Sequence, residues 1–178
     1  MPRTSCYTST VESPCGPLVC VVDDVGAVLR IEFAKGRTPT QIRGDLRREG
    51  LHAVEDSERT RIVSEQLRDY FAARRRRFEL DLAPQGTAFQ RSVWQALQEI
   101  PFGETRTYAD VACTIGRPRA SRAVGGATGA NPIPIVIPCH RVVGSDGSLV
   151  GFGGGLDVKA TLLAHEGRPG SYRLPLPA

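Results

Sequence analysis

The chain has 178 residues, 40% hydrophobic and 24% charged, a composition that excludes a disordered chain and fits one domain or two small ones. Its net charge is +4, and no apolar run approaches the ~18 residues of a membrane span. The opening MPRTSCYTSTVESPCG lacks the basic start and apolar core of a secretory leader, so a cytoplasmic protein without membrane contact is expected.

The first third alternates. GPLVCVVDDVGAVLRIEF reads as two strands around a turn at Asp23-Asp24, with Gly26 helping the reversal. In DSERTRIVSEQLRDYFAAR, Ser57 is the expected N-cap, and Ile62, Val63, Leu67, Tyr70 and Phe71 recur at helical spacing. RFELDL follows as a short strand, and the run Arg74 to Arg77 before it reads as a solvated turn. These elements make an α/β module over residues 1–85, ending near Pro84-Gln85-Gly86.

Residues 86–178 change character. TAFQRSVWQALQEI predicts an amphipathic helix presenting Phe89, Val93, Trp94 and Leu97, stopped by Pro101 and Gly103. TYADVACTIG predicts a short helix capped by Thr107 and closed by Gly116, and RPRASRAVGGATGANP a third ending at Asn131-Pro132. Two short helices around a tight turn are a helix-turn-helix candidate or a plain helical hairpin. The third helix contains Gly125, Gly126 and Gly129, each costing roughly 1 kcal/mol against alanine. Such a helix needs a flat surface for close approach of another backbone, and Arg122 is its one long side chain in mid-helix. From Arg117 to Arg141 there are four arginines and no acidic residue, so a nucleic-acid groove is a natural partner. Further on, GSDG is a turn and SLVGFGGG a glycine-rich strand and loop. DVKATLLAHEG is a final helix with Asp157 as N-cap and Gly167 at the C-cap position. The tail RPGSYRLPLPA reads as loose.

The five cysteines include no CxxC pair, and the three histidines (His52, His140, His165) stand at no ligand spacing from a cysteine pair, so no metal is expected. In a reducing compartment a special cysteine is reactive and not structural. NPIPIVIPCHRVVG places Cys139 beside His140. A thiol with its ordinary pKa near 8.5 is a poor nucleophile until a base or positive charge favours thiolate. Adjacent residues on a strand point to opposite faces, so Cys139 and His140 cooperate only if the chain turns there or a water bridges them. On these residues alone a cysteine hydrolase, a cysteine transferase and an inert buried cysteine all stay open.

PCHRV, with NPIPIVI before it and GFGGGLDVKATLLAHEG after it, resembles the O6-alkylguanine-DNA alkyltransferases. The similarity extends through FGETRTYADVA, RAVGGATGANP and the helix of Trp94, over about residues 86–168, and TVESPCGPL resembles the opening of the family's N-terminal domain. The resemblance implies an α+β protein: a small ribonuclease H-like sheet-plus-helix domain, then a mostly helical domain with a helix-turn-helix in the minor groove of double-stranded DNA. It implies flipping of O6-alkylguanine, and of O4-alkylthymine as an open second substrate, with irreversible transfer of the alkyl group to Cys139 and no cofactor. Residue by residue, Cys139 matches the acceptor, His140 the base acting through a water, and Glu166 the carboxylate that orients it. Asn131 matches the holder of the active-site turn, and Tyr108 the donor to guanine N3 that also crowds the phosphate. The carbonyls of Cys139 and Val142 match the acceptors of the exocyclic amine. Arg122 matches the finger that fills the vacated stack, with Ala123, Gly125 and Gly126 on the same DNA-facing helix. Pro134, Val142, Phe152 and Gly153 match residues that line the family's base pocket.

Two positions depart from the family pattern. Phe152 stands where many relatives have tyrosine, so a hydroxyl contact is lost, and Gly153 stands where some have serine, leaving only its N–H for O6. Asp23 occupies the place of one zinc-ligating cysteine of some eukaryotic relatives. A monomer in solution is expected, with cooperativity along DNA left open. The alternative is a non-catalytic binder of alkylated lesions, but those relatives replace the cysteine and usually lack the N-terminal domain. A transcriptional regulator would need a sensory domain, and a cysteine hydrolase would show turnover on an ester or amide.

Overall fold

The computed structural model describes residues 4–167, and the described chain divides between Gln85 and Gly86 into two compact units. The first unit is built from β1 (Thr4–Val11), β2 (Leu18–Val22), β3 (Val28–Phe33), α1 (Pro39–Arg48), β4 (Leu51–Glu55) and α2 (Arg61–Phe71). Its sheet runs β3-β2-β1-β4. The first three strands form an antiparallel meander, and β4 lies parallel to β1 after the α1 crossover.

Local chemistry sets these elements. Every residue of β2 is buried, as a strand covered on both faces requires. The β2–β3 turn is held by the Asp23 carboxylate, which accepts from the N–H groups of Val25 and Ala27 at 3.0 and 2.8 Å. Helix α1 opens with a capping box of Thr38 and Gln41 and with Pro39 at its first turn. Ile42 and Leu46 of α1 pack with Cys6, Val19, Val21 and Ala53 on one face of the sheet. Helix α2 meets the other face, where the Ser64 and Ser9 hydroxyls bond at 3.0 Å.

Several expectations for this unit need correction. RFELDL forms no strand, and only Leu82 makes an isolated bridge, to Val28. Its backbone is instead held by Gln66, whose side chain both donates to and accepts from Glu79 at 2.8 Å. Helix α2 begins at Arg61 and not after Ser57, because Asp56 gathers residues 57–60 into a turn by accepting from the N–H groups of Glu58 and Arg59. Ile62 is 57% exposed, outside the apolar face assigned to it. Strand β1, helix α1 and strand β4 have no counterpart among the sequence expectations.

The second unit contains α3 (Ala88–Gln98), β5 (Arg106–Thr107), α4 (Tyr108–Thr114), α5 (Ser121–Gly129), a 3-10 turn at Cys139–Arg141, β6 (Val142–Val143) and α6 (Leu156–His165). Capping boxes start α3 (Thr87 with Gln90) and α4 (Thr107 with Asp110). Gly116 ends α4 with a φ of +71°, as the turn into α5 needs. Trp94 is buried in α3 and its indole N–H donates to the Ala127 carbonyl on α5 at 2.8 Å, which locks the glycine-rich helix to its neighbour. Gly86 is required beneath that ring, since a Cβ there would lie 2.4 Å from the indole. SLVGFGGG contains no strand, and α6 begins at Leu156 with Gly155 at its N-cap, so Asp157 lies inside the first turn and makes no cap. Glu166 is the C-cap, and Gly167 follows it with a φ of +90°. The tail RPGSYRLPLPA lies outside the described residues. Among the described residues no helix is long and apolar enough to cross a membrane.

Trp94→Phe leaves the buried Ala127 carbonyl without its donor, and the protein should lose about 1–3 kcal/mol of stability. Urea unfolding followed by far-UV circular dichroism measures this, with the largest loss expected in the helical signal of the second unit.

Candidate active site

Cys139, His140 and Arg141 lie on the 3-10 turn, not on a strand, and all three are buried. The turn follows from the residues before it. Asn131 donates its side-chain N–H to the Ile137 carbonyl at 2.8 Å and accepts from the Ile133 N–H at 3.0 Å, closing a loop over 131–137. Within that loop Pro134 is buried and bridges Ile137, and Ile135 takes a φ of +74°, a conformation that β-branched residues rarely adopt. Pro138 then leads into the turn. After it, β6 pairs in parallel with β5, Val142 beside Arg106 and Val143 beside Thr107. Because β5 runs directly into α4, this two-residue ladder sets Tyr108, the first residue of α4, near Cys139.

Glu166 organises the site. Its Oε1 bonds His140 Nε2 at 2.9 Å and accepts from an Arg141 NH2 at 2.9 Å. Its Oε2 accepts from Arg141 Nε at 2.9 Å and from the Gly103 N–H at 3.0 Å. Burial alone would raise this carboxyl, but the His140 and Arg141 partners outweigh it and hold the group well below the usual carboxylate range. The carboxylate is therefore an acceptor, and His140 Nε2 carries the proton that faces it. Burial also pushes the His140 imidazole down from its ordinary value, against the pull of Glu166. Its Nδ1 is buried and meets no hydrogen-bonding partner among the described residues. That nitrogen is left as an acceptor, on the residue that follows Cys139 in the chain. Arg141 also donates to the Ile100 carbonyl, and its guanidinium lies 5.9 Å from the Phe102 ring centre.

The thiol itself is neutral at rest. Burial pushes Cys139 up to about 11, opposed by the Asn131 side chain, the Lys159 charge and the N–H groups of Cys139 and His140. A buried thiol beside a carboxylate-backed imidazole is the donor set of a nucleophile activated at the moment of reaction, not one stored as thiolate. Tyr108 donates its hydroxyl to the Val150 carbonyl at 3.1 Å. Burial, and then the charge that forms on Cys139, raise its pKa and keep it protonated.

The remaining predicted residues differ in exposure. On α5, Arg122, Ala123 and Gly126 are exposed, while a Cβ at Gly125 would touch the Tyr108 ring at 3.8 Å. Cβ atoms at Gly126 and Gly129 would meet only open space, so those glycines serve no packing within the protein. Phe152 is half-buried and Gly153 exposed. The Val142 carbonyl accepts from Lys159 Nζ at 2.6 Å, and the Cys139 carbonyl accepts from the Val142 N–H. Each keeps a second lone pair for a ligand. Sequence reading gave no structural part to Lys159, and it treated Arg141 only as a source of charge. The available signal was Arg141 within PCHR and a lone lysine in the last helix.

A cysteine-nucleophile protein with an exposed small-residue helix is the class this geometry defines, and the comparisons give the family. Residues 88–168 match the model of the 6-O-methylguanine DNA methyltransferase DNA-binding domain. A methylated-DNA–protein-cysteine methyltransferase of Methanosarcina barkeri is 47% identical over 160 residues, covering 90% of this chain and 96% of that one. The crystal structure of Mycobacterium tuberculosis O6-methylguanine methyltransferase aligns with a TM-score of 0.78 at 38% identity, over 90% of this chain and 92% of that one. The M. tuberculosis OGT in complex with DNA aligns with a TM-score of 0.79 at 38% identity, over 93% and 96%. The chain belongs to the methylated-DNA–protein-cysteine methyltransferase family.

Glu166→Gln strips Arg141 of its buried counter-charge and should destabilise the protein by about 3–5 kcal/mol at pH 7. A depressed carboxyl contributes stability that is present above its unfolded value near 4.3 and is lost progressively as pH falls toward the folded one. The gap between wild type and variant should therefore shrink below about pH 4, as denaturant midpoints across pH will show.

Proposed function

We propose that the protein repairs DNA carrying O6-alkylguanine by moving the alkyl group onto Cys139, once per molecule. The observation that carries this reading is the buried Cys139 thiol beside an imidazole whose Nε2 is fixed by an ionised Glu166. His140 Nδ1 takes the thiol proton by way of a water molecule, and the sulfur attacks the alkyl carbon. The carbon–O6 bond breaks and its electron pair leaves with the purine. Tyr108 turns its hydroxyl from Val150 to guanine N3, which eases departure of that anion, and the proton held by His140 completes the repaired base. The second lone pairs of the Cys139 and Val142 carbonyls accept from the exocyclic amine and select guanine, Phe152 stacks on the base, and the Gly153 N–H faces O6. O4-alkylthymine is a second substrate of the same chemistry.

DNA is met by α4, the turn at Gly116 and α5, read as a helix-turn-helix lying in the minor groove of the duplex. The open space over Gly126 and Gly129 supports that docking, since a backbone approaches there without displacing a side chain. Arg122 is exposed, with no hydrogen bond or ion pair among the described residues, and serves as the finger that replaces the flipped base. The order β3-β2-β1-β4 supports a ribonuclease H-like reading of the first unit. The protein acts as a cytoplasmic monomer. A lesion binder without transfer is disfavoured by the thiol itself.

Incubation with a duplex containing O6-methylguanine should add one methyl group to Cys139, seen by intact-mass and peptide mass spectrometry, and repair should stop at one lesion per molecule. A thioether has no route back here, because water does not cleave an alkyl–sulfur bond under mild conditions. Cys139→Ser should bind the lesion in a gel shift yet transfer nothing. Sustained turnover, or a methyl group on another residue, would sink the reading.

Arg122→Ala should weaken lesion binding and slow transfer from duplex DNA by about 10-fold or more, an effect of about 1.4 kcal/mol. Reaction with free O6-benzylguanine, which needs no extrusion, should change by less than about twofold. Equal losses on both substrates would assign Arg122 a structural part instead.

A further inference from the structure

Lys159 has no part in the steps above, yet its side chain is fully buried. Its ammonium donates to the Val142 carbonyl at 2.6 Å and to the Val150 carbonyl at 2.8 Å, and among the described residues it forms no ion pair. A buried cation facing only neutral carbonyls is costly, so a site that keeps one needs those carbonyls held. The residue type fits the task. In a chain with 23 Lys and Arg, only Lys35 and Lys159 are lysines. A compact ammonium reaches two converging carbonyls where a planar guanidinium would not fit.

What the two carbonyls belong to decides the meaning. Val142 ends the turn that carries Cys139 and His140. Val150 lies in the loop before Phe152 and Gly153, and its carbonyl also accepts from the Tyr108 hydroxyl at 3.1 Å. Lys159 thus joins three parts of the pocket through one group: the nucleophile turn, the glycine-rich loop and, across the shared Val150 carbonyl, the tyrosine at the start of α4. Lys159 of α6 and Glu166 at its C-cap stand seven residues apart, two turns along one face. That face grips the segment 140–142 at two points, Glu166 at His140 and Arg141, and Lys159 at Val142.

We infer that Lys159 is a positioning residue that fixes the guanine-reading wall of the pocket, by aiming the Val142 carbonyl and by holding the loop against which Tyr108 rests. This rests on the repair reading above and deepens it. Lysine occupies one lone pair of the Val142 carbonyl and so directs the other toward the exocyclic amine of an entering base. When Tyr108 swings to the substrate, Lys159 still holds Val150, and the loop keeps its place. Its charge also bears on Cys139, since burial brings the ammonium down to about 8 while the thiolate opposes that shift.

The test uses discrimination, which a merely structural lysine would not govern. Single-turnover transfer is measured from duplexes carrying O6-methylguanine or O6-methylhypoxanthine, which differ only in the exocyclic amine. Wild type should prefer the guanine lesion by about 10-fold or more, the worth of one well-placed hydrogen bond. In Lys159→Met that preference should fall to about twofold or less, chiefly through loss of rate on the guanine lesion. Thermal melting and iodoacetamide labelling of Cys139 report whether the variant is folded with its thiol intact. If Lys159→Met does not fold, Lys159→Gln, which keeps donors but shortens their reach, is read in its place. A preserved preference in a folded variant overturns the inference, as does a wild type that treats the two lesions alike. Absence of transfer by wild type from either duplex would sink the repair reading itself, a result separable from a wild type that transfers and a variant that keeps its preference.

Discussion

The second unit depends on one buried carboxylate. Glu166 receives four donors from two separate stretches of chain: His140 and two groups of Arg141 on the nucleophile turn, and the Gly103 N–H on the loop after α3. A carboxylate removed from water is tolerable only when its oxygens are so filled. That requirement fixes where α6 ends, how the 3-10 turn is oriented and which imidazole nitrogen carries the proton. The chemistry at Cys139 is then a consequence of satisfying Glu166. The free nitrogen of His140 faces away from the carboxylate because the other one is committed to it.

Around this centre, rigid and open parts are kept apart. The turn is locked by Asn131 at its entrance and by the β5–β6 ladder at its exit, so the thiol sits on backbone with little freedom. Helix α5 is fixed from behind by the Trp94–Ala127 hydrogen bond and left bare in front, where a Cβ at Gly126 or Gly129 would meet nothing within 4 Å. Glycines that weaken a helix and fill no internal need are explained by a partner that comes close. Tyr108 spans both regions, its ring against Gly125 and its hydroxyl on the loop of Val150.

A thiol pushed up by burial and an imidazole pushed down by burial suit a protein that acts once. Neither group carries its reactive charge at rest, which limits chance alkylation or oxidation of the thiol. The Lys159 charge and the backbone N–H groups around the sulfur lower the barrier to thiolate without storing it.

How much of this was legible in the sequence differs from part to part. Local signals carried well where local chemistry decides. Thr107 marks the start of α4, Gly116 its end, and the apolar spacing of Val93, Trp94 and Leu97 the buried side of α3. The PCHR stretch and its flanks carried the family. Elements whose existence depends on distant partners were not legible. Strand β1 has mixed polar residues and forms because β2 and β4 lie on either side of it, and RFELDL resembles a strand but is held by Gln66 side-chain bonds instead of a ladder. The turn at Cys139 was hidden for the same reason: Asn131 eight residues earlier and Glu166 at the far end of α6 bend it. Tertiary structure alone decided that Arg141 faces Glu166 rather than solvent and that Lys159 is buried between two carbonyls. A sequence states which charges exist, and only the folded chain determines which of them lose their water and must find a partner.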